Sequence, residues 1–594
     1  MHREELLVKQ KYICNPVNMA YDTRMDTTGR APGLGFAMGR LPIPHSGAGD
    51  TTVVRFKGRY YMFGSLQGFW WTDDLVDWHH ESGKGLNIMP GAAGDICQVG
   101  DWLYQCASSR EPSSIYRTKD PMSREFEYVS TPFQFWDPCM FQDDDGRVYL
   151  YWGCSNVDPI WGVEMDPETM TPLGERVVLF GENSAHHGFE RNGWDNDPKV
   201  GMLRVGETDA PGLDNTAPWI EGPYMNKHDG KYYLQYAAPA TELPVYADGC
   251  YVSDKPLGPF TYCDNSPFST CRGGFYEGAG HGSSFEDEYG NWWHATTMIG
   301  AAPCSARKMG IFPLGFDADG IMYCNQNYYD YPHIMPQGKA DPNSLFTGWM
   351  LLSWNKPATA SSTIDGHPVS NLTNESSRTY WAASRRRPGE WVMLDLGQVD
   401  DVRAVQLNFC DHDVQGLLGI PYNHFSVLPP EEQHCYHRWL LEGSADGEHW
   451  QTLCDKRRSE TNMIHDLVVL EDGVQIRYLR LTSVETPFYG NFAMTGLRVF
   501  GHAPGQAPKA PANVSIARDP DDGCVARLHW DASEGADGYN VRWGIAPDKL
   551  YHSTLVYGKN ELTMRYLNDS VPYFMQIDAF NGSGIGEGTV VSAQ

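Results

Sequence analysis

The sequence predicts an all-β protein that opens with a five-bladed β-propeller and continues as β-sandwich. Three observations predict it. A unit of apolar strand, Gly turn and aromatic strand occurs five times between residues 50 and 300. A titratable side chain opens each unit. Beyond about residue 340, alternating strands bounded by Gly and Asp turns replace this rhythm.

The units share a spacing. Asp50 lies eight residues before Gly58, and Asp137, Glu221 and His281 lie nine before Gly146, Gly230 and Gly290. Asp95 lies five before Gly100. Each Gly marks a tight turn into a second strand rich in aromatics, such as Lys231-Tyr-Tyr-Leu234. Hairpins repeating every 40 to 50 residues or so suggest propeller blades. In a propeller the strand nearest the axis carries all five heads to one end of one channel. Acids before strands also serve as plain turn residues, but five in phase favour a shared site. Glu221, between an aromatic and a proline, is expected to be partly desolvated. Desolvation raises a carboxyl pKa, as a general acid near neutral pH requires.

Composition narrows the class. A chain of 594 residues holds several domains, and 41% hydrophobic content supplies their cores. Aromatics reach 13%, with 19 Trp and 32 Tyr, which suits sugar stacking and also blade packing. A formal net charge of −29 argues against nucleic acid and against an anionic membrane surface. No apolar run reaches the 18 or so residues that a spanning helix needs. The N-terminal Met-His-Arg-Glu-Glu-Leu-Leu-Val-Lys-Gln has no signal-peptide core. The 14 cysteines form no C-x-x-C pair and no dense framework, and Cys97, Cys139 and Cys154 read as small buried hydrophobes. Together these give a cytoplasmic expectation, or a secreted one where a leader is missing from the chain.

Taken in order, residues 1 to 45 read as a strap over the first domain. The blades run from Asp50 to about 90, to about 130, from Phe135 to about 180, from 215 to 262 and from about 277 to 335. Residues 181 to 214 break the rhythm, with His186-His187 and Glu190. This insertion is expected to line the substrate pocket, with metal binding by the paired histidines as the rival.

The stretch 45 to 335 resembles glycoside hydrolase family 43, the five-bladed propeller glycosidases. The resemblance rests on Asp50 before Gly-x-Tyr-Tyr, on Trp136-Asp-Pro-x-x-Phe-x-Asp-Asp-Asp-Gly146, and on Glu221-Gly-Pro-Tyr224. Asp74-Leu-Val-Asp-Trp78, Leu257-Gly-Pro-Phe260 and Gly280-His281-Gly-Ser match as well. It implies Asp50 as general base, Asp137 as the residue that tunes and orients the acid, and Glu221 as general acid. It implies His281 as the central-channel histidine that binds Ca²⁺ or water. Trp71, Asp95, Trp136, Trp219, His281 and Arg307 are the expected substrate-binding residues. Arg307 reads either as a sugar-hydroxyl ligand or as a surface Arg. The sequence departs from the family at Asp50-Thr51, usually Asp-Pro, and at Gly91-Ala-Ala-Gly-Asp95, usually Trp-Ala-Pro-Asp.

Residues 345 to 502 resemble a discoidin-like (coagulation factor 5/8 type C) domain, through Glu390-Trp-Val-Met-Leu-Asp-Leu-Gly397, Leu441-Glu-Gly-Ser-Ala-Asp-Gly447 and Arg477-Tyr-Leu-Arg-Leu481. Such domains often bind carbohydrate. Arg385-Arg386-Arg387 reads as a solvated charge run, with a glycan-site lining as the alternative. A Pro-rich linker at 502 to 511 leads to a stretch, 508 to 594, that resembles a fibronectin type III module. That module is expected to act as a spacer or packing domain.

The implied activity is inverting, exo-acting hydrolysis of terminal α-L-arabinofuranosyl or β-D-xylosyl units from plant-type glycans. No cofactor is required for that chemistry, and structural Ca²⁺ is the one metal implied. The expected partner is an oligo- or polysaccharide. The alternatives are a galactofuranosidase or exo-galactanase on the same scaffold, and a non-catalytic carbohydrate-binding propeller.

Overall fold

The structure is a computed structural model that describes residues 9–21, 48–65, 68–81, 85–88, 92–109, 111–197, 217–241, 243–300, 307–410, 412, 436–487 and 490–593. Helix among these is confined to four short 3₁₀ turns, and no helix is long and apolar enough to cross a membrane.

Five antiparallel sheets follow one another along the first half of the chain. Their first strands are Thr52–Phe56, Ala92–Val99, Cys139–Gln142, Ile220–His228 and Glu277–Glu286. Each sheet adds its strands outward in chain order, and the fourth gains Cys154–Ser155 at its inner edge. Each first strand packs against the next, and the fifth against the first, so the sheets close into a ring. Aromatic side chains meet at the joints: Phe63 lies edge-on to Phe126 at 6.5 Å, and Phe180 stacks on Tyr251 at 4.0 Å.

The entry to each first strand is sharply bent. Asp50, Ala93, Asp137, Gly222 and His281 all have positive φ, between 45° and 58°. A non-glycine residue there costs about 1–3 kcal/mol, so the surroundings must hold it. Three of these bends are held by hydroxyl latches. The backbone N–H of Asp50 donates to Thr297 Oγ1 (2.7 Å), that of Ala93 to Ser65 Oγ (2.8 Å) and that of Asp137 to Ser108 Oγ (2.7 Å). Each hydroxyl stands within two residues of the end of the neighbouring sheet's second strand.

Two further β units complete the described fold. Residues 350–502 form one large sheet whose central path runs through Ala493–His502, Trp391–Phe409, His465–Glu485 and Arg438–Ser444. Arg385 and Arg387 pair with the buried Glu390, and Arg386 donates to Asn491, so this run is tied into its own unit. Residues 515–593 form a three-stranded and a five-stranded sheet with Trp530, Trp543, Met575 and Ile577 buried between them.

Both units are fused to the ring rather than tethered. Trp530, Tyr539 and Tyr566 share one core with Tyr149, Ile220, Leu234 and Tyr236 of the third and fourth sheets. Fully burying one large apolar side chain contributes about 1.5–3 kcal/mol, so this joint is substantial. The 350–502 sheet meets the fifth ring sheet through Phe275, Tyr276, Tyr331 and Phe500. At that junction Arg498, fully buried, bonds Glu375 at 2.9 Å, Asp330 at 3.3 Å and Gln406 Oε1 at 3.0 Å.

The described part of the expected strap pairs Lys11–Ile13 with His333–Met335 and Ala20–Tyr21 with Asn462–Met463. The rest of residues 1 to 45 lies outside the described residues. The described part of the insertion, 181–197, docks on the C-terminal unit. Gly188 N–H donates to Leu567 O (3.0 Å), Asp569 N–H to His186 O (2.8 Å), and Arg191 pairs with Asp522 at 2.6 Å. His187 stacks on Tyr262 at 3.6 Å and bonds Glu190, whereas the exposed His186 faces Asp569. The two rings have separate partners and do not converge as metal ligands. The remainder of the insertion lies outside the described residues.

Candidate active site

Four of the five expected heads meet at one end of the ring. Asp50, Asp137 and Glu221 are each about 7% exposed. His281 joins them: its Nδ1 lies 3.4 Å from Asp50 Oδ1 and 3.8 Å from Asp137 Oδ2. Carboxylate oxygens of Asp137 and Glu221 lie within 4.8 Å of each other. His281 can approach because residue 222 is Gly. A Cβ there would stand 2.6 Å from the imidazole ring, at a φ of 58°.

Asp50 is buried, which by itself raises its pKa. The Arg307 guanidinium, the His281 ring and the Ser65 hydroxyl outweigh burial and hold its carboxyl below the usual range. One Arg307 nitrogen, Nη1, donates to both carboxylate oxygens, at 2.7 and 2.6 Å, and Ser65 Oγ donates to Oδ2. Arg307 fits because residue 49 is Gly: a Cβ there would stand 2.7 Å from its Nε.

Glu221 is set the other way. Burial first, then the Asp137 charge, push it up to about 7. Tyr246 Oη donates to its Oε1, and Cys154 Sγ, 3.1 Å away, to its Oε2. Asp137 is itself raised by burial, against the pull of His281, and accepts from Ser108 Oγ at 3.2 Å. Burial lowers the pKa of His281, but Asp50, Asp137 and Glu221 raise it more, which favours imidazolium. Asp248 fixes the strand at this point. It accepts the backbone N–H of His281 (2.7 Å) and of Gly282 (3.1 Å), and bonds His294 Nε2 at 2.9 Å.

The remaining expected residues divide. Trp136 and Trp219 are half-buried beside Asp137 and Glu221, Trp219 against Ala240, Leu243 and Val245. Asp95 is not brought to the cluster. It sits four residues inside its strand, fully buried, accepts the Met140 N–H at 2.7 Å, and is pushed up to about 7 by burial. The left-handed residue of that sheet is Ala93, which has no titratable group. Trp71 also lies elsewhere, on the third strand of its sheet between Arg59 (4.0 Å) and the His79 ring (4.2 Å). Arg307 belongs to the site, but through Asp50 and Thr241 rather than as a surface residue.

The calcium implied at His281 would have to share these contacts. Ca²⁺ takes six to eight oxygen ligands. The Nδ1 of His281 is turned to Asp50 and Asp137, which raise its pKa, so a cation bound through Nδ1 would compete with the proton that these carboxylates favour. Sequence reasoning missed Tyr246, Cys154, Ser65, Ser108 and Asp248.

Residues 40–322 match the model of glycosyl hydrolases family 43. Among curated relatives, a beta-xylosidase of Xylanibacter ruminicola is 33% identical over 135 residues, which is 21% of this chain and 39% of the relative. An arabinoxylan arabinofuranohydrolase of Bacillus subtilis (strain 168) is 27% identical over 281 residues, 42% of this chain and 47% of the relative. The chain thus spans less than half the length of these relatives. A solved structure, of a thermostable family-43 glycoside hydrolase, aligns at TM-score 0.41 and 22% identity over 51% of this chain and 100% of its own.

Proposed function

We propose that the protein is an inverting, exo-acting O-glycosyl hydrolase that releases terminal α-L-arabinofuranosyl or β-D-xylosyl units from plant-type glycans. The ring of five sheets is read as a five-bladed β-propeller. The 350–502 unit is read as discoidin-like, and the 515–593 unit as a fibronectin type III module. The observation that carries the activity is the opposite setting of two carboxyls in one cluster. Asp50 is held ionised by Arg307, and Glu221 is held protonated near neutral pH by burial and Asp137. Paired carboxyls pushed apart in this way supply a base and an acid together.

In this reading the glycosidic oxygen of the bound sugar takes its proton from Glu221. Asp50 draws a proton from a water on the opposite face, and that water attacks the anomeric carbon. Such a pair stands roughly 6.5–9.5 Å apart to admit the water. Asp50 and Glu221 belong to the first and fourth sheets, which are not neighbours in the ring, and this supports the wider spacing. His281 and Arg307 keep Asp50 anionic, and Tyr246 orients Glu221. No step passes through a metal.

The choice of sugar follows the names of the relatives. Incubation with nitrophenyl arabinofuranoside, xyloside and galactofuranoside tests it. Turnover of the first or second is expected. Turnover of the galactofuranoside alone would move the specificity, and binding without any turnover would overturn the enzyme reading.

A further inference from the structure

Cys154 does not behave as the small buried hydrophobe that its strand-like surroundings suggest. The two-residue strand Cys154–Ser155 pairs with Ile220–His228, with Cys154 directly opposite Glu221. Its Sγ lies 3.1 Å from Glu221 Oε2. Donor atoms of Asp137, Cys154 and Glu221 all lie within 4.8 Å of one another. Among the described residues this is the one group of three such donors so placed. It mixes two carboxylates with a sulfur, brought together from two sheets.

We propose that Asp137, Cys154 and Glu221 form a binding site for a thiophilic divalent cation, of the Zn²⁺ or Cd²⁺ class, whose occupation switches the enzyme off. The consequence for activity rests on the glycosidase reading above, but the site itself does not.

The donor chemistry selects the ion. Hard cations such as Ca²⁺ and Mg²⁺ take oxygen ligands, whereas thiolate favours softer ions. Zn–S bonds of about 2.3 Å and Zn–O bonds of about 2.0–2.2 Å place tetrahedral ligand atoms roughly 3.3–3.7 Å apart. The Sγ–Oε2 pair is already near that spacing, and the third donor needs a small side-chain adjustment. A larger ion such as Cd²⁺ needs less. Water takes the open position.

The charge balances. Below about pH 7 the coupled Asp137–Glu221 pair holds one proton between them, so with the Cys154 thiol the three carry one negative charge. A divalent cation with two carboxylates and a thiolate carries the same. Two protons leave, one from sulfur and one from the Asp137–Glu221 pair, and one cation enters. The field felt by His281 and Arg307 is therefore nearly unchanged, so a buried site tolerates the exchange. The bound acid has no proton to donate, and hydrolysis stops.

The test titrates CdCl₂ and ZnCl₂ into the full chain after chelation and dialysis. The readouts are thiolate-to-Cd²⁺ ultraviolet absorption, proton release and aryl-glycoside turnover. One equivalent is expected to give the absorption, release two protons and abolish turnover, with recovery on adding EDTA. Ca²⁺ and Mg²⁺ are expected to do none of this. Cys154→Ser should remove the absorption and weaken inhibition by about 10- to 100-fold relative to its own uninhibited rate. Absorption or inhibition unchanged in Cys154→Ser would overturn the site. Should that variant not fold, Glu221→Gln must bind Cd²⁺ more weakly and release one proton. Unchanged affinity with two protons released would overturn it equally. Absorption and proton counts need no turnover, so this site and the glycosidase reading fall separately.

Discussion

Arg307 Nη1 donates to both carboxylate oxygens of Asp50, at 2.7 and 2.6 Å, across 257 residues of sequence. The contact opposes the burial that would otherwise push Asp50 up. A base must be ionised, so activity rises with pH through the pKa of Asp50. Arg307→Met is expected to raise that pKa and move the acidic limb of the pH–rate profile upward. It should also lower kcat, since a misplaced base can cost about 10²-fold. Kinetics from acid to neutral pH check this, and an unmoved acidic limb would remove Arg307 from the account.

Glu221→Gln keeps the shape of the acid and removes its proton. The loss on natural glycosides, whose leaving groups need protonation, is expected at about 10²- to 10⁴-fold. Nitrophenyl glycosides should lose less, because their leaving groups depart unaided. Parallel assays on both substrates decide it, and equal losses would count against the acid role.

Asp137 and Tyr246 act on Glu221 with opposite signs. The acid must be protonated, so activity falls as pH rises through its pKa, about 7. Asp137 raises that pKa by like charge, so Asp137→Asn should move the basic limb to lower pH. Tyr246 donates to the ionised carboxylate and lowers the pKa, so Tyr246→Phe should move the limb to higher pH. Shifts in the same direction would contradict the assigned geometry.

Arg498 bonds Asp330 from the ring side and Glu375 from the 350–502 unit, with all three buried. Removing one partner of a buried ion cluster leaves charge uncompensated and costs about 3–5 kcal/mol. Arg498→Met is expected to destabilise the chain by that amount in chemical denaturation. Adding Glu375→Gln should restore part of it. A loss within experimental error would mean that the two parts do not rely on this junction.

The sequence made four of the site residues legible because their position is a local property. Asp50, Asp137, Glu221 and His281 stand a near-constant distance before a turn Gly, and ring closure does the rest. Asp95 does not share this spacing. Its distance to Gly100 is four or three residues shorter, and the bent position of that sheet falls to Ala93. Tyr246 and Cys154 reach the cluster from other strands and loops, by register and chain path that no local pattern encodes. Trp71, expected to bind substrate, packs its ring against Arg59 and His79. The run 181–197 lacks strand pattern because its contacts are with a unit that begins more than 300 residues later.

The central claim is that Asp50 activates water while Glu221 protonates the leaving oxygen on the opposite face of the sugar. Proton NMR of the first sugar released, recorded before mutarotation, tests it most directly. The account predicts inversion at the anomeric carbon. A first product that retains the substrate's configuration would contradict it, because a carboxylate would then be attacking the sugar in place of water.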